Sequence, residues 1–277
     1  MRVRALAKIN LSLHVLGATA DGFHELRTVF QSIALHDTLT FRPASGPFRI
    51  VCSDPSCPVD ETNLVWRAAA LVWRAANRRG APRDLIVRLT KRVPMQAGLG
   101  GGSSDAAATL RACAALWDAK LTTRRLAQLA STLGADVPYF LQGGTALGTG
   151  KGDVLLPLDD AEASWATLVL PAFGVSTKDA YSWWDADGRG AGAQSDVRND
   201  LQAPVAARHP EIGQILTRLA KVGALEAMMS GSGSAVYGLF RNRPAAEHAA
   251  EALFSRSTRT LVTRTVNRMR YQALAAL

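Results

Sequence analysis

Cysteine is scarce in this sequence: a chain of 277 residues has only Cys52, Cys57 and Cys113. An odd number of cysteines with no histidine nearby supplies neither a disulfide framework nor a zinc site, so we expect free, reduced thiols. Long apolar runs are also missing, since no stretch approaches the ~18–20 residues that a membrane helix needs. Lys8 and Asn10 interrupt the segment where a signal peptide would have its apolar core. These absences predict a cytoplasmic protein with no membrane contact.

Clustered basic charge is missing as well, although the formal net charge is +9. The arginines and lysines stand singly or in pairs, with no run of five and no interleaved aromatic residues. Such scattering argues against nucleic-acid binding, whereas attraction of a small, multiply anionic substrate explains a basic chain equally well. A content of 48% hydrophobic and 20% charged residues is typical of globular proteins. The length allows one large or two modest domains.

Glycine is concentrated in residues 94–108, which read PMQAGLGGGSSDAAA. Apolar residues alternate as in a strand before this stretch and recur at helical spacing after it: Leu85, Val87 and Leu89, then Ala106, Leu110, Cys113 and Trp117. Ser103, Ser104 and Asp105 are favoured N-cap residues, so we expect the helix to begin there. A strand, a glycine loop and a helix start together predict a phosphate site. A glycine-rich surface turn without a ligand is the alternative.

Two common phosphate-binding motifs do not fit this stretch. A P-loop requires a lysine after the glycines, and the Gly150-Lys151 pair lacks the leading glycine and the Ser/Thr. The dinucleotide motif fails at its third glycine, where Ser103 stands. The stretch instead resembles, almost letter for letter, the P-x-x-x-G-L-G-G-G-S-S-D-A-A loop of the GHMP kinases. Its triple glycine and Ser-Ser are most similar to those of the diphosphocytidyl-methylerythritol kinases.

Four further motifs similar to that family stand in order along the chain: A-K-I-N-L at 7–11, G-F-H at 22–24, G-A-D-V-P-x-F at 134–140 and M-S-G-S-G-S-A at 229–235. Pattern alone gives each a simpler interpretation. Lys8 would be a solvated charge on a half-buried strand, Phe23 a core residue, Asp136 a turn residue and the last motif a turn between strands. The family usually has a tyrosine at the place of Phe23, so a hydroxyl hydrogen bond is lost while the ring face is kept.

The resemblance implies an α+β, two-domain GHMP kinase fold with the active site in the inter-domain cleft. The expected domains are residues 1–160, which bind ATP, and residues 161–277. The implied activity is transfer of the γ-phosphoryl group of ATP, with Mg²⁺, to the 2-hydroxyl of a small cytidyl diphosphate substrate in non-mevalonate isoprenoid synthesis. A monomer or weak homodimer is expected.

The resemblance also implies roles for individual residues. Lys8 and Asp136 would be catalytic, and Ser104 would bind the metal. Asn63 would be either a helix cap or a neighbour of the adenine. The ATP loop would comprise Pro94, Met95, Gln96, Ala97, Gly98, Leu99, Gly100, Gly101, Gly102, Ser103 and Ser104. The substrate would be bound by Asn10, Phe23, His24, Asp136 and Tyr181, with aromatic rings on both faces of the cytosine.

The remaining pattern predicts helices at 62–79, 121–133 and 245–254 and a final strand at 259–266. An Asp21-Gly22 turn precedes a strand region that extends to Phe41. The Gly/Ala/Asp-rich segment 185–196 is predicted to be a mobile insertion.

Overall fold

The computed structural model describes residues 1–20, 22–187 and 198–277. Asp21 of the predicted turn and residues 188–196 of the predicted insertion lie outside the described residues. The strands are β1 (Arg2–Ala18), β2 (His24–Pro47), β3 (Arg49–Cys52), β4 (Arg83–Thr90), β5 (Thr145–Thr149), β6 (Val154–Pro157), β7 (Trp165–Pro171), β8 (Glu226–Met229), β9 (Val236–Phe240) and β10 (Thr258–Arg264). The helices are α1 (Leu64–Ala75), α2 (Gly101–Leu116), α3 (Thr123–Ser131), α4 (Tyr139–Gln142), α5 (Thr177–Ala186), α6 (Gln202–Arg208), α7 (Pro210–Lys221), α8 (Arg243–Leu253) and α9 (Arg268–Leu274). The predicted α+β class is confirmed.

The first sheet is built from the N-terminal strands in the order β3-β4-β2-β5-β6, and β1 pairs antiparallel with β2. Strands β3 and β4 pair parallel, and the other strand pairs described in this sheet are antiparallel. Helices α1 and α2 cover this sheet and bury their apolar faces in its core, which includes Val65, Val72, Leu110 and Cys113. Such burial stabilises each fully covered aliphatic side chain by about 1.5–3 kcal/mol.

Strand β1 departs from the strict alternation that its sequence predicts. Its register against β2 shifts between Leu6 and Lys8, and such an irregularity changes the face to which later side chains point. Leu6 packs into the core of the first sheet, whereas Ala7 and Ile9 pack into a second core. Lys8 and Asn10 are only 3% and 1% exposed, so the interpretation of Lys8 as a solvated edge charge is wrong.

The second sheet is antiparallel, with the order β10-β7-β9-β8. Its own core contains residues from helices α5 to α8. A separate core joins the two sheets: Ala7, Ile9, Ala97 and Leu99 pack there with Ala166, Leu168, Met228 and Ala235. The phosphate-loop stretch and β1 therefore lie where the two sheets meet.

The chain returns to the first sheet at its C-terminal end. Helix α9, which the sequence pattern did not predict, contributes Tyr271 to the core of the first sheet. The Tyr271 hydroxyl donates to the Phe140 carbonyl at 2.7 Å. The division at residues 160 and 161 stays a prediction.

The cysteines behave as expected, since all three are free and Cys57 and Cys113 are buried. Burial raises the pKa of Cys113, which keeps its thiol protonated. Across the described ranges, none of the helices has the length and apolar character needed to cross a membrane.

Candidate active site

The loop between β4 and α2 turns at two glycines. Gly98 and Gly100 have φ angles of +70° and +71°, in the left-handed region where a side chain is strained. Gly100 is the N-cap of α2, and it offers no side-chain hydrogen bond. Because the chain enters its helical conformation directly after Gly100, α2 begins at Gly101. The expectation that residues 103–105 cap the helix is therefore wrong.

The backbone N–H groups of this loop are left over from the protein's own hydrogen bonding. Within the described part of the chain, no N–H from Gln96 to Ser103 donates to a protein acceptor. The carbonyl groups are used instead, accepting from two segments, β1 and the 229–235 motif: Lys8 N to Leu99 O at 3.0 Å, Ser230 Oγ to Gly98 O at 2.9 Å and Ala235 N to Ala97 O at 3.3 Å. Free N–H groups at the positive end of a helix form an anion site.

Lys8 and Asp136 form an ion pair beside this loop. The Lys8 Nζ atom lies 3.6 Å from Asp136 Oδ2. The lysine side chain is 4% exposed and the aspartate side chain 33%, so only the carboxylate reaches solvent. Asp136 stands in the turn between α3 and α4, while the Lys8 N–H donates to the Leu99 carbonyl of the glycine loop. The two residues predicted to be catalytic thus lie together.

Burial sets the electrostatics of Lys8. Desolvation lowers the pKa of Lys8, and the Asp136 carboxylate opposes this effect. The Lys8 ammonium also donates to Asn10 Oδ1 at 2.5 Å, and Asn10 Nδ2 donates to Thr28 Oγ1 at 2.7 Å. These hydrogen bonds fix the direction of the ammonium group. The Asn10 amide is therefore held by Lys8 and Thr28, and its predicted contact with the substrate stays a prediction.

The M-S-G-S-G-S-A motif closes the other side of the site. Gly231 has φ of +57°, and a Cβ atom on it would lie 3.3 Å from Lys8 Nζ and 3.2 Å from Asn10 Oδ1. Glycine is required here because the backbone itself approaches the ammonium group. At Gly98, a Cβ atom would lie 2.0 Å from the Ser230 carbonyl oxygen. The two glycine-rich loops therefore pack backbone against backbone.

A buried charge network lies at the base of the loop. Lys91 Nζ donates to Asp37 and, at 2.9 Å, to Asp105. Asp37 also accepts the N–H groups of Arg92 and Val93, at 2.5 and 2.8 Å. Burial raises the pKa of Asp105 to about 8, against the opposing effect of Lys91. The network ties the end of β4 to the second turn of α2 and so fixes both ends of the loop.

Phe23, His24 and Tyr181 are the aromatic residues predicted to bind the substrate. The rings of His24 and Tyr181 stack with centroids 4.7 Å apart. His24 also bonds Asp185 at 2.8 Å. Phe23 is 55% exposed, so the interpretation of Phe23 as a core residue is wrong. The Lys151 ammonium lies 3.7 Å from the centroid of the Phe23 ring. Tyr181 stacks on His24 rather than on Phe23.

Asn63 is the N-cap of α1. Its Oδ1 atom accepts the Val65 N–H at 2.8 Å, and its Nδ2 atom donates to the Pro58 carbonyl at 2.5 Å. The predicted capping role is thus confirmed, whereas proximity to an adenine stays a prediction.

Ser104 is the residue predicted to bind Mg²⁺. Its hydroxyl is buried in the first turn of α2 and has no hydrogen-bond partner among the described residues. The same ranges contain no group of three or more His, Cys, Asp or Glu side chains that could hold a metal ion. Mg²⁺ needs few protein ligands when phosphates supply most of its oxygens. The unpartnered hydroxyl fits an ion that arrives with a nucleotide.

Comparison with known proteins shows the family to which this chain belongs. Residues 63–144 match the family described as GHMP kinases N terminal domain, and residues 185–257 match GHMP kinases C terminal. The chain is a member of the GHMP kinase family. Both matched segments of this GHMP kinase contribute to the site, since the first contains the glycine loop and the second contains the loop around Gly231.

Relatives with similar sequences indicate to which branch of the GHMP kinase family the chain belongs. A 4-diphosphocytidyl-2-C-methyl-D-erythritol kinase from Solibacter usitatus is 44% identical, over 98% of this chain and 90% of the relative. The enzyme of that name from Moorella thermoacetica is 41% identical, over 95% of this chain and 98% of the relative. A crystal structure of a 4-(cytidine 5'-diphospho)-2C-methyl-D-erythritol kinase has a TM-score of 0.80 and 35% identity, covering 96% of this chain and 99% of that one. The chain belongs with these kinases.

Some residues of the GHMP kinase site escaped the sequence analysis. Lys91 and Asp37 were not singled out, although a charged residue inside an apolar strand pattern is a signal that could have found Asp37. Asn199 was missed as well, and it bonds the backbone of Met229 and Gly231. No local pattern indicates this contact, because the partners lie 30 and 32 residues later.

The glycines of the loop can be tested one at a time. Gly101 is buried and a Cβ atom there would lie 2.9 Å from Val93 Cγ1, so a valine would disturb packing. Gly102 is exposed, and its nearest neighbour would be Leu64 at 3.8 Å. We expect Gly102→Val to leave the fold intact and to raise the KM for ATP by about tenfold or more, because it crowds N–H groups that would meet phosphate.

Gly213→Val is the matched control for that experiment. Gly213 is also helical, and a Cβ atom there meets nothing within 4 Å. Both variants make the same glycine-to-valine change within a helix, so the change in helix propensity is matched. An unchanged KM for ATP in a folded Gly102→Val enzyme would contradict a phosphate-binding role of this loop.

Proposed function

We propose that this chain catalyses ATP-dependent phosphorylation of the 2-hydroxyl of 4-diphosphocytidyl-2-C-methyl-D-erythritol, in non-mevalonate isoprenoid precursor synthesis. The observation that carries the proposal is the loop of unpartnered N–H groups, which lies against the Lys8–Asp136 pair. A phosphate site and an acid–base pair in one cleft are the parts that phosphoryl transfer to an alcohol requires. The relatives of that name, at 41–44% identity, support the choice of alcohol.

The reaction needs positioning and charge stabilisation more than covalent chemistry. The loop from Gln96 to Ser103 binds the ATP phosphates through its N–H groups. The substrate hydroxyl oxygen forms a bond to the γ-phosphorus, the bond to the β,γ-bridging oxygen breaks, and ADP leaves. Asp136 accepts the hydroxyl proton, because its carboxylate is the exposed member of the pair.

Lys8 stabilises the charge of the transferred phosphoryl group and orients Asp136. Its ammonium is buried, so its charge acts in a medium of low polarity where electrostatic stabilisation is strong. The hydrogen bond to Asn10 holds the charge in a fixed direction before any substrate binds. When bound with ATP, Mg²⁺ would neutralise phosphate charge, and the Ser104 hydroxyl would hold it from the protein side.

Recognition of the cytosine is assigned to the aromatic end of the site. Tyr181 and His24 are already packed against each other. Burial and, second, the Asp136 carboxylate raise the pKa of Tyr181. We propose that Phe23 and Tyr181 bind the two faces of the base, and that the His24 backbone binds its edge. Phe23 is exposed and has a ring face to offer.

Substitution of Phe23 tests the cytosine site. Phe23→Leu removes a stacking contact worth about 0.5–1.5 kcal/mol, so we expect the KM for the cytidyl substrate to rise roughly tenfold. The KM for ATP and the melting temperature should not change, because Phe23 is outside the core. Phe23→Tyr keeps the ring and should behave as the parent enzyme. Equal cytidyl KM values in all three proteins would rule Phe23 out as a substrate contact.

The proposal also covers the cellular location, oligomeric state, domains and partners of the enzyme. We propose a cytoplasmic monomer or weak homodimer with two domains, residues 1–160 and 161–277, and with no nucleic-acid partner. The scattered basic residues of the sequence support attraction of ATP and a cytidyl diphosphate. Size-exclusion chromatography with light scattering measures the oligomeric state directly.

A substrate panel tests the proposed function. Purified protein is incubated with ATP and Mg²⁺ and, in separate reactions, with 4-diphosphocytidyl-2-C-methyl-D-erythritol, mevalonate or homoserine, while ADP release is followed. We expect turnover with the cytidyl substrate alone. Turnover with mevalonate or homoserine in its place would move the chain to another GHMP kinase activity, and no turnover with any alcohol would indicate a nucleotide-binding protein without this catalysis.

A further inference from the structure

Asn199 is a buried residue whose side chain uses most of its hydrogen-bonding capacity. Its Nδ2 atom donates to the Met229 carbonyl at 2.8 Å and to the Gly231 carbonyl at 2.9 Å. Its Oδ1 atom accepts the Leu201 N–H at 3.0 Å. Two donors and one acceptor on a short side chain are found only in asparagine. The arrangement therefore selects the residue type as well as its orientation.

The loop that Asn199 holds forms one wall of the Lys8 pocket. A Cβ atom on Gly231 would lie 3.3 Å from Lys8 Nζ, so the Gly231 backbone is a direct neighbour of the ammonium group. The preceding Ser230 hydroxyl donates to the Gly98 carbonyl at 2.9 Å. A displacement of the Gly231 carbonyl would open this wall and would also loosen the contact with the phosphate loop.

The backbone around Asn199 is attached to the strand that carries Lys8. The Leu13 N–H donates to the Arg198 carbonyl at 2.6 Å, and the Asp200 N–H donates to the Leu13 carbonyl at 2.9 Å. Leu13 and Lys8 both belong to β1. The backbone on both sides of Asn199 is thus fixed to β1, five residues along the strand from Lys8, while the Asn199 side chain is fixed to the Gly231 loop. The residue therefore links β1 to the Gly231 loop.

We propose that Asn199 is a positioning residue for Lys8. By fixing the Gly231 carbonyl, its amide keeps the wall of the pocket closed, so that the ammonium group stays dry and aimed at the transferred phosphoryl group. This inference rests on the proposed kinase function. Among the described residues, Asp136 is the charged group that faces Lys8, and the other neighbours of the Lys8 ammonium, Asn10, Phe30 and Gly231, are uncharged.

Two variants and one control test the proposal. Asn199→Asp keeps the shape and the acceptor but loses the donors, and Asn199→Ser removes the amide without adding charge. The control is Gln202→Glu, an amide-to-acid change at a residue whose Oε1 accepts the Met229 N–H at 2.9 Å. A glutamate retains this acceptor, so the start of the same loop stays bonded. Melting temperature, kcat, both KM values and the pH dependence of kcat are measured for each protein.

We expect both Asn199 variants to lose at least about tenfold in kcat, because small misplacements of catalytic groups are costly. Their KM values should stay within about threefold, since phosphate and base contacts remain. The pH profile gives the specific signature. Water admitted to the pocket relieves the desolvation that lowers the pKa of Lys8, so the alkaline limb of kcat should move upward by about half a unit or more in Asn199→Ser. Gln202→Glu should leave it unchanged.

Two results would overturn the proposal. One is a folded Asn199→Ser enzyme with the kcat and alkaline limb of the parent. The other is failure of both variants to fold, which would make Asn199 a residue of the fold alone. Parent enzyme assayed in parallel separates these results from failure of the proposed function, in which the parent itself would not phosphorylate the cytidyl substrate.

Discussion

Replacing Asp136 by asparagine is expected to lower kcat by ~10²-fold or more, because general-base assistance by a positioned side chain contributes a factor of this size. Asparagine keeps the shape of the side chain but cannot accept the hydroxyl proton. The residue stands in a turn and its side chain is 33% exposed, so the fold should not depend on its charge. ATP should bind as before, since the loop from Gln96 to Ser103 supplies the phosphate contacts.

The control for this variant is Asp118→Asn. Asp118 lies just after α2, is 78% exposed at its side chain and pairs with Lys120 on the surface. The same chemical change there should leave kcat untouched. Single-turnover kinetics, with ATP limiting relative to the enzyme and the cytidyl substrate in excess, separate the chemical step from product release. Near-parental turnover by Asp136→Asn would mean that the aspartate does not act as the base.

Lys8→Met should lower kcat by about 10²–10³-fold, the loss found when a preorganised charge is removed from a reacting centre. The same substitution should not lower the melting temperature. The lowered pKa of Lys8 shows that the folded protein disfavours the ammonium form relative to the unfolded chain. A methionine of similar length avoids that cost, and the Asp136 carboxylate left without its partner is 33% exposed and stays hydrated.

Lys91→Met provides the contrast. Lys91 bonds two buried carboxylates, Asp37 and Asp105, and its removal leaves both without their cation. Breaking such a buried pair typically costs about 3–5 kcal/mol, so this variant should be strongly destabilised. Thermal unfolding and kcat measured for both variants test the distinction. A Lys8→Met protein that loses stability as Lys91→Met does would show that Lys8 is held for the fold rather than for the reaction.

The glycine loop could be predicted from its local sequence, whereas the role of Asp136 followed from the family resemblance, because pattern alone makes it a turn residue. Consecutive glycines after a strand and before a helix favour a phosphate loop, and the structure places Gly98 and Gly100 in left-handed conformations there. The helix start was predicted three residues late, because the cap residues 103–105 fall inside α2. Propensity for an N-cap was outweighed by the turn at Gly100.

The surroundings of Lys8 could not be predicted from local sequence. The alternation of polar and apolar residues places Lys8 on the polar face of β1. The shift in register and the packing of the second sheet nevertheless bury its side chain. Gly231 lies beside Lys8 although it stands about 220 positions further along the chain, and it is held there by Asn199. Such contacts depend on how the two sheets pack, which period and propensity do not encode.

The site of phosphorylation is the most direct test of the central claim. The product formed from 4-diphosphocytidyl-2-C-methyl-D-erythritol and ATP is isolated and its proton-coupled ³¹P NMR spectrum recorded. The 2-carbon bears a methyl group and no hydrogen, so transfer to the 2-hydroxyl predicts a new phosphomonoester signal with no splitting from a carbinol proton, beside an intact cytidyl diphosphate. A new signal split by a neighbouring proton, as a 3-phosphate would give, or no new phosphomonoester at all, would contradict the assignment.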